Sequence, residues 1–448
     1  MNVKILAPMA MLLCVSTTST WAKVSSTEAK KLETELTQMG AEKAGNLSGT
    51  IPAYTGGLAQ DKNANPLTNP FADDQPLFTI THENIEQYKN QLSDGQLALF
   101  KKYPDSYKMP IYKTRRSASY PSNLSNKILK NVTHTELVSG GNGLQNFDET
   151  IPFAMPKTGL EVIWNHVSRY RGGTIERNVA TIPVQTSGSF SPVKMNAQLA
   201  MPQYVKGGFN PKKDNNILFY YMSAIKSPAR LSGNVLLVHE TIDQVTQPRM
   251  AWVYNAGQRR VRRAPQIAYD APAQAMDGMR TADQVDMYNG APNKYNWKLI
   301  GKQEMYIPYN AYKLASEDAK YKDIIQPGHI NQDFTRYELH RVWKIEATLK
   351  EDERHVYGKR TYYIDEDSWQ IALADHYDTR NVLWRVAEGH ALQFVNANTL
   401  WYGAMTNYDM LSGRYIADLT NEEKDPFQFG IKIKRKAFTA SALRRAGR

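Results

Sequence analysis

From residue 174 onward, apolar and polar residues alternate with a period of two in one segment after another. This alternation predicts β-strands with one face drier than the other. The connections are short and show no regular crossover helices, which favours antiparallel pairing, and so long a meander should curl into an open barrel around its apolar face. The predicted strands span residues 174–184, 193–201, 217–225, 231–242, 248–254, 259–265, 297–307, 336–349, 355–364, 369–377, 382–394, 402–410 and 429–433.

Helical patterns are confined to the first part of the chain. Ser25 and Ser93 each begin a capping sequence that is followed by a short amphipathic helix. Helices this short need a partner surface. We therefore expect residues 23–135, an irregular and partly helical extension, to pack on the main body as a structural brace rather than to act as a lid or partner-binding arm. A further helix is predicted at 156–170, with Ile163 and Trp164 on its apolar stripe.

The first 22 residues have the layout of a secretory signal peptide. Lys4 precedes an apolar run at 5–15, and a small-x-small cleavage site ends at Ala22. Leu13 before Cys14 disfavours a lipoprotein signal. Cys14 is the only cysteine, so cleavage leaves a chain without disulfides, thiol catalysis or cysteine-bound metal. The expected organisation is thus a signal peptide at 1–22, the extension at 23–135, and a β domain with a basic C-terminal tail at 136–448.

The formal net charge of +11 indicates which partners to expect. In a periplasmic protein, this charge favours an anionic surface such as phospholipid, lipopolysaccharide or an acidic protein, and nucleic acid is not an expected partner after export. The 26 tyrosines, 8 tryptophans and 16 methionines suit an adaptable interior that binds hydrophobic ligands. They suit an ordinary β-sheet core equally well.

A predicted hairpin at 248–265 carries the densest group of candidate binding residues. Arginine occupies both faces of its return strand, so one face must meet water, acidic side chains or an anionic ligand. The arginines could brace the following aspartate-rich loop, or dock the anionic head of a ligand or an acidic patch on a partner. The candidate ligand- or partner-binding residues are Trp252, Tyr254, Arg259, Arg260, Arg262, Arg263, Asp277, Asp283, Asp286, Trp343 and Trp384.

The sequence contains no G-x-S-x-G, H-E-x-x-H or phosphate-loop motif. His340 and His376 lie on predicted strands that could be neighbours, and residues 375–378 form a polar cluster. Such a group could be a metal site or an acid–base site. Polar residues on a water-facing strand are the commoner explanation of such a cluster. The spacing of the loop aspartates does not match a calcium loop. We therefore predict no catalytic residue, no metal site and no cofactor.

Several motifs carry a family resemblance. They are I-P-A-Y-T-G-G at 51–57, G-L-E-V-I-W-N-H-V-S-R-Y-R-G at 159–172, S-P-A-R-L-S-G at 227–233, Y-I-P-Y-N-A-Y-K-L at 306–314, R-Y-E-L-H-R-V-W at 336–343 and A-L-R-R-A-G-R at 442–448. With these motifs the chain resembles a bacterial periplasmic domain-of-unknown-function family related to the outer-membrane lipoprotein-sorting (LolA-like) proteins. The resemblance implies an α+β fold, mainly antiparallel, in which helices cover an open half barrel and the helix at 156–170 plugs its concave side.

The same resemblance implies no known enzyme activity. It suggests a periplasmic carrier for a lipid, lipoprotein or other hydrophobic molecule, with an inner-membrane transporter or an outer-membrane component as partner. The alternative is a non-enzymatic accessory subunit of an envelope export complex, with its barrel filled by side chains. An enzyme acting on lipid or polymer is a third class, which a convergent acid–base pair inside the cavity would distinguish.

The first prediction concerns processing. We expect the exported chain to begin at Lys23, because the apolar run is too short to span a bilayer and a cleavage site ends at Ala22. We expect it to carry no lipid, because Leu13 stands where lipoprotein processing requires a small residue. The intact mass of protein released from the periplasm checks this. A mass that still includes Cys14, or that includes acyl chains, would contradict it.

Overall fold

The structure is a computed structural model that describes residues 24–264 and 269–447. The predicted signal peptide lies outside the described residues. The helices are α1 (Ser26–Ala29), α2 (Asp94–Lys102), α3 (Ser125–His134), α4 (Gly159–Ser168), α5 (Pro211–Asp214), α6 (Tyr312–Ala315), α7 (Tyr321–Ile324) and α8 (Ala440–Ala446). Among the described helices, none is both long enough and apolar enough to cross a membrane.

The strands follow the predicted meander closely. They are β1 (Phe78–Ile80), β2 (Met109–Tyr112), β3 (Glu136–Val138), β4 (Gly143–Gln145), β5 (Thr174–Val184), β6 (Val193–Ala200), β7 (Ile217–Ser227), β8 (Val235–Thr241), β9 (Met250–Asn255), β10 (Arg260–Arg263), β11 (Tyr295–Pro308), β12 (Tyr337–Leu349), β13 (Lys359–Asp365), β14 (Ile371–Tyr377), β15 (Leu383–Phe394), β16 (Thr399–Asp409), β17 (Tyr415–Leu419) and β18 (Phe427–Phe429). Strands β1, β2, β3, β4 and β17 were not predicted.

Sixteen of these strands form one sheet, in the order β1-β2-β12-β13-β14-β15-β16-β17-β5-β6-β7-β8-β9-β10, with β11 also on β12 and β18 also on β5. Only the short β2–β12 contact is parallel among the described pairs. The sheet is open, because β1 and β10 stand at opposite ends of the order. The predicted fold class, an open antiparallel sheet with helices packed on it, is confirmed.

Helix α4 packs on one face of this sheet, which we call the inner face. A capping box between Thr158 and Glu161 begins the helix. Ile163 and Trp164 then pack against Ile345 of β12 and Tyr362 of β13. Every residue of α4 except Leu160 is buried. As expected from the sequence, this helix fills part of the inner face, whereas β5 to β9 lie beyond it.

The N-terminal extension packs on both faces: α1 and α3 contribute to the same buried cluster as α4, whereas α2 packs on the opposite, outer face. Leu99 and Phe100 of α2 join a buried cluster with Ala180 and Ile182 of β5. Strands β1 and β2 lengthen the sheet itself, which the pattern of short helices did not predict. The contacts agree with a structural brace, while the domain boundary after residue 135 stays a prediction.

Candidate ligand cavity

A cavity of about 410 Å³ lies between the inner face of β5–β9 and the segment 269–291, which we call the cover segment. Its walls are mainly apolar, because each strand turns one alternate set of side chains inward. Ile175, Leu199, Phe219, Leu236 and Val253 represent the successive strands β5 to β9. The cover segment adds Met276, Ala282 and Val285, and β16 adds Trp401 and Met405.

The cover segment has little regular structure, and buried ion pairs hold it to the sheet. Arg280 pairs with Asp418 at 2.7 Å. Asp283 pairs with Arg360 at 2.7 Å and with His355 at 3.2 Å. Truncating one partner of a buried pair is strongly destabilising, so these contacts fix where the roof of the cavity lies.

Asp286 of the cover segment contacts several other elements at once. Its carboxylate accepts hydrogen bonds from Arg169 at 2.9 Å, Arg171 at 2.8 Å and Trp401 at 2.8 Å. Its backbone oxygen lies 2.9 Å from Nε2 of His166 on α4. Burial opposes ionisation, but the two guanidinium groups outweigh it and hold the pKa of Asp286 well below its ordinary value. Asp286 therefore joins α4, the cover segment and β16 at one edge of the cavity.

Arg177 on β5 lines the cavity and is only 8% exposed. Its Nε and Nη2 atoms are buried without a hydrogen-bond partner among the described residues. The guanidinium carbon lies 5.2 Å from the ring centre of Phe427 and 5.6 Å from that of Trp401. The three carboxylates that line the cavity, Glu240, Asp286 and Asp418, each pair with another arginine.

A more open groove of about 730 Å³ lies elsewhere, between β7–β8 and the C-terminal segment. Its lining is basic and includes Lys206, Lys213, Lys434 and Arg435. The groove is more open than the cavity under the cover segment, and it encloses less apolar surface. We therefore take the cavity under the cover segment as the candidate site, because ligand sites are typically concave and mostly apolar.

The turn at residues 365–368 was predicted as a polar hairpin turn, and the structure buries it. Arg116 donates two hydrogen bonds to Asp367, at 2.9 and 2.6 Å, and Glu366 pairs with Arg341 and Lys302. Burial raises the pKa of Asp365 to about 7, with the charge of Asp367 adding to the effect. His340, Asp365 and Asp367 lie close enough to share a cation. Because Arg116 already occupies both oxygens of Asp367, the cluster fits an ion-pair brace better than a metal site.

Comparison with known proteins places the chain among its relatives. The model of the family described as "Protein of unknown function (DUF1329)" matches residues 79–444. The chain belongs to the DUF1329 family. An uncharacterized protein of Pseudomonas aeruginosa is 54% identical over 440 residues, which cover 97% of this chain and 96% of that protein. The family membership expected from the sequence motifs is thereby confirmed.

Two solved structures overlap in part with this DUF1329 protein. One, from Vibrio parahaemolyticus, is described as an outer membrane lipoprotein-sorting protein domain; it is 14% identical, with a TM-score of 0.44, and the match covers 64% of this chain and 99% of that one. The other is a DUF1329 family protein from Desulfovibrio piger, 15% identical with a TM-score of 0.41, covering 60% of this chain and 91% of that one.

Of the predicted binding residues, Asp286 lines the cavity and the others do not. Trp252 packs against His239, with ring centres 4.9 Å apart, and Tyr254 is buried in the cluster that contains α8. Both lie on the face of β9 opposite to Val253. Trp343 stacks on Trp369 with ring centres 6.0 Å apart. Trp384 donates a hydrogen bond to Asp409 at 3.0 Å.

The predicted hairpin forms, but the expected pairing of its arginines with the loop aspartates is wrong. Arg259, Arg260, Arg262 and Arg263 are all exposed. Instead, Asp283 forms an ion pair with an arginine of β13, and Asp286 forms ion pairs with arginines that follow α4. Asp277 forms an ion pair with Arg414. β10 is the edge strand of the sheet and stands away from these aspartates. Charged side chains on an exposed edge discourage unwanted strand pairing.

His340 and His376 are not neighbours. Strand β13 lies between their strands, and the alternation of side chains places them on opposite faces of the sheet. His340 stacks on Tyr309 with ring centres 4.0 Å apart, while His376 lies 3.3 Å from Gln284 of the cover segment. The two histidines therefore cannot form one site.

Sequence reasoning missed Arg177 and Trp401. The signal was present in β5, where Ile175, Arg177, Val179 and Thr181 alternate along one face. An arginine in an otherwise apolar set is costly to bury. Such a residue marks either an ion pair or a binding site, and the sequence alone could not decide between them.

The second prediction tests the Asp286 contacts. At pH 7, Asp286→Asn should lower the free energy of unfolding by about 3–5 kcal/mol, because Arg169 and Arg171 lose their buried counter-charge. The folded-state pKa of Asp286 is depressed, so its contribution is present above the ordinary value of 3.8 and is lost as the pH falls below that value. The difference from wild type should thus be smaller at pH 3 than at pH 7.

Urea denaturation at both pH values measures this, and Asp277→Asn is the matched control. Asp277 lies on the same segment but is 56% exposed and pairs only with Arg414. The control should change stability by less than about 1 kcal/mol. Equal losses in the two variants, or a pH-independent loss in Asp286→Asn, would contradict the assignment.

Proposed function

We propose that this protein binds the hydrocarbon chain of an amphiphile in the cavity and carries it across the periplasm. The observation that carries the proposal is the cavity itself. Its volume of about 410 Å³ falls at the lower end of the usual range for ligand pockets, roughly 300–1,000 Å³. A cavity of this size and apolar lining suits one slender chain better than a bulky group.

The arrangement of the cover segment also supports a carrier. A carrier must load and release its cargo, so one wall of the site has to move or open. The inner wall consists of strands paired by backbone hydrogen bonds, whereas side-chain ion pairs hold the cover segment to that wall. The backbone hydrogen bonds of the cover segment, such as Ala273 to Arg280, run within the segment itself. The cover segment is thus the wall that can separate with the fewest backbone hydrogen bonds broken.

The two other classes are less well supported. An accessory subunit with a side-chain-filled barrel would not need a cavity of this volume. An enzyme would need an acid–base pair converging on the cavity. The described lining has three carboxylates, each ion-paired with arginine, and no histidine.

The third prediction fills the cavity. Ala197 of β6 lines it, and Ala197→Phe should occupy the space that an acyl chain would take. The probe is a monoacylglycerol with a brominated acyl chain, which quenches a tryptophan that it touches. Wild-type protein should show quenching of Trp401, which lines the cavity. In the variant the apparent Kd should rise roughly tenfold or more, since about 1.4 kcal/mol of lost contact is a factor of ten.

Ala53→Phe, at an exposed position, is the matched control and should bind like wild type. The melting temperature of each variant shows that it folds. Trp401→Phe should remove most of the quenching without removing the binding itself, which calorimetry follows separately. A wild-type protein that shows no saturable binding of the probe would sink the carrier proposal.

We further propose that Arg260 and Arg262 dock the protein on an anionic membrane surface or an acidic partner. Arg262 pairs across the hairpin with Val253, which lines the cavity. The two-residue period therefore places Arg260 and Arg262 on the cavity side of the edge strand. Exposed arginines at this rim could hold the mouth of the cavity against phosphate or carboxylate groups.

The fourth prediction reverses these two charges. Arg260→Glu/Arg262→Glu should leave the melting temperature nearly unchanged and slow the transfer of a fluorescent acyl probe from anionic vesicles, most strongly at low salt. The control, Lys101→Glu/Lys322→Glu, changes the same charge at exposed positions of α2 and α7 on the outer side. Equal slowing in both double variants would show a net-charge effect and overturn the docking proposal.

A further inference from the structure

The cavity contains a charge that the protein itself does not neutralise. Arg171, Arg177, Arg249 and Arg280 line it together with three carboxylates. A fifth arginine, Arg169, shares Asp286 with Arg171. Positive groups thus outnumber negative ones inside an apolar, largely enclosed space, and the excess favours an anion there.

The excess positive charge lies on Arg177, whose Nε and Nη2 have no hydrogen-bond partner among the described residues. Asp418 is the acidic group with the largest effect on it, but that carboxylate already accepts hydrogen bonds from Arg280 at 2.7 Å and from Thr181 at 2.6 Å. Glu240 is similarly engaged by Arg249 and Asn289. Burial lowers the pKa of Arg177, yet a guanidinium keeps its charge at neutral pH. A buried, charged and unpaired donor pair is costly unless something else binds it.

The rings around Arg177 orient its side chain. Phe427 on β18 lies beside the guanidinium at 5.2 Å, and Trp401 on β16 lies at 5.6 Å. Contacts with aromatic rings restrict the planar group while leaving its N–H donors free. Nε and Nη2 lie on one edge of the guanidinium, and that edge suits a bidentate contact with two oxygens of a carboxylate or phosphate.

Most of the apolar lining lies to one side of Arg177, and Trp401 and Met405 of β16 lie to the other. Arg177 is on β5, and the neighbouring strands β6, β7, β8 and β9 follow in order. They contribute Leu199, Phe219, Leu236 and Val253 to the wall. A ligand with its head at Arg177 would therefore lay its chain across these strands, toward the edge of the sheet where β10 lies.

We propose that Arg177 binds the carboxylate or phosphate head of a single-chain anionic amphiphile whose hydrocarbon chain fills the cavity. This inference rests on the proposed function, since it names the ligand class of the same cavity. It assigns to Arg177 a role in recognising the head group, distinct from the exposed arginines of the hairpin.

The experiment compares three probes with the same oleoyl chain: oleate, oleoyl lysophosphatidic acid and neutral monoolein. Calorimetry on the wild-type protein should give at least one anionic probe a Kd roughly tenfold or more below that of monoolein, because hydrogen bonds to charged groups are the stronger ones. The preference should persist at high salt, because a buried pair is poorly screened. If only oleate binds more tightly than monoolein, the head group is a carboxylate. If only lysophosphatidic acid does so, it is a phosphate.

Arg177→Gln should remove the preference and leave monoolein binding nearly unchanged. It should also leave the melting temperature of the empty protein unchanged or higher, because an unpaired buried charge is removed. If Arg177 had only a structural role, the substitution would lower the melting temperature of the empty protein. Arg177→Lys, which keeps the charge but loses the fork, should retain part of the preference. Arg230→Gln, at an exposed position, makes the same charge change and should behave like wild type.

The outcomes separate this inference from the proposed function. Binding of all three probes with equal affinity in the wild type overturns the role of Arg177 while the carrier proposal stands. Failure of every probe, monoolein included, overturns both. If Arg177→Gln does not fold, the residue is structural, and the inference is overturned even where the wild type prefers an anionic head.

Discussion

The structure depends on the buried contacts of Asp286. Residues that are far apart in sequence meet at this carboxylate: Arg169 and Arg171 after α4, and Trp401 of β16. Without Asp286, two guanidinium groups would be left in the interior with no counter-charge. The loss of these contacts would therefore destabilise the folded protein strongly. Together with the ion pairs of Arg280 and Asp283, this group holds the cover segment against α4 and the sheet, and so helps to form the cavity.

The inner face of the sheet is closed in two different ways. On β11 and β12, α4 packs its apolar side chains directly on the strands. On β5 to β9, the cover segment is held by the ion pairs of residues 280–286 and leaves apolar strand residues uncovered. Close packing favours stability, whereas an uncovered apolar surface and the unpaired Arg177 oppose it. Both features lower the stability of the empty protein at the cavity, and a ligand bound there could offset this loss.

Much of the fold follows from local pattern, while much of the candidate site does not. The bounds predicted for the first long strand, 174–184, agree with β5, and the hairpin forms between β9 and β10. The strand β17 was missed because it is only five residues long and has one polar residue, Asp418, so it offers too few positions to show an alternation. The arginines of the hairpin were assigned to the loop aspartates because they are close in sequence. In the folded chain those aspartates pair with arginines that follow α4, lie on β13 or precede β17.

The sequence by itself determined the antiparallel meander and the helix at 156–170, because side-chain periodicity is a local property of the chain. The family and the placement of that helix on the inner face were implied by the resemblance of the motifs. Only the tertiary structure decided which charges meet and which one stays alone. The Coulomb and desolvation energies of Arg177, Asp286 and Asp418 depend on distance and burial. Strand β5 lies far from β16 and β17 in the chain but close to them in the sheet, so no local pattern could show that Arg177 faces a cavity without a partner.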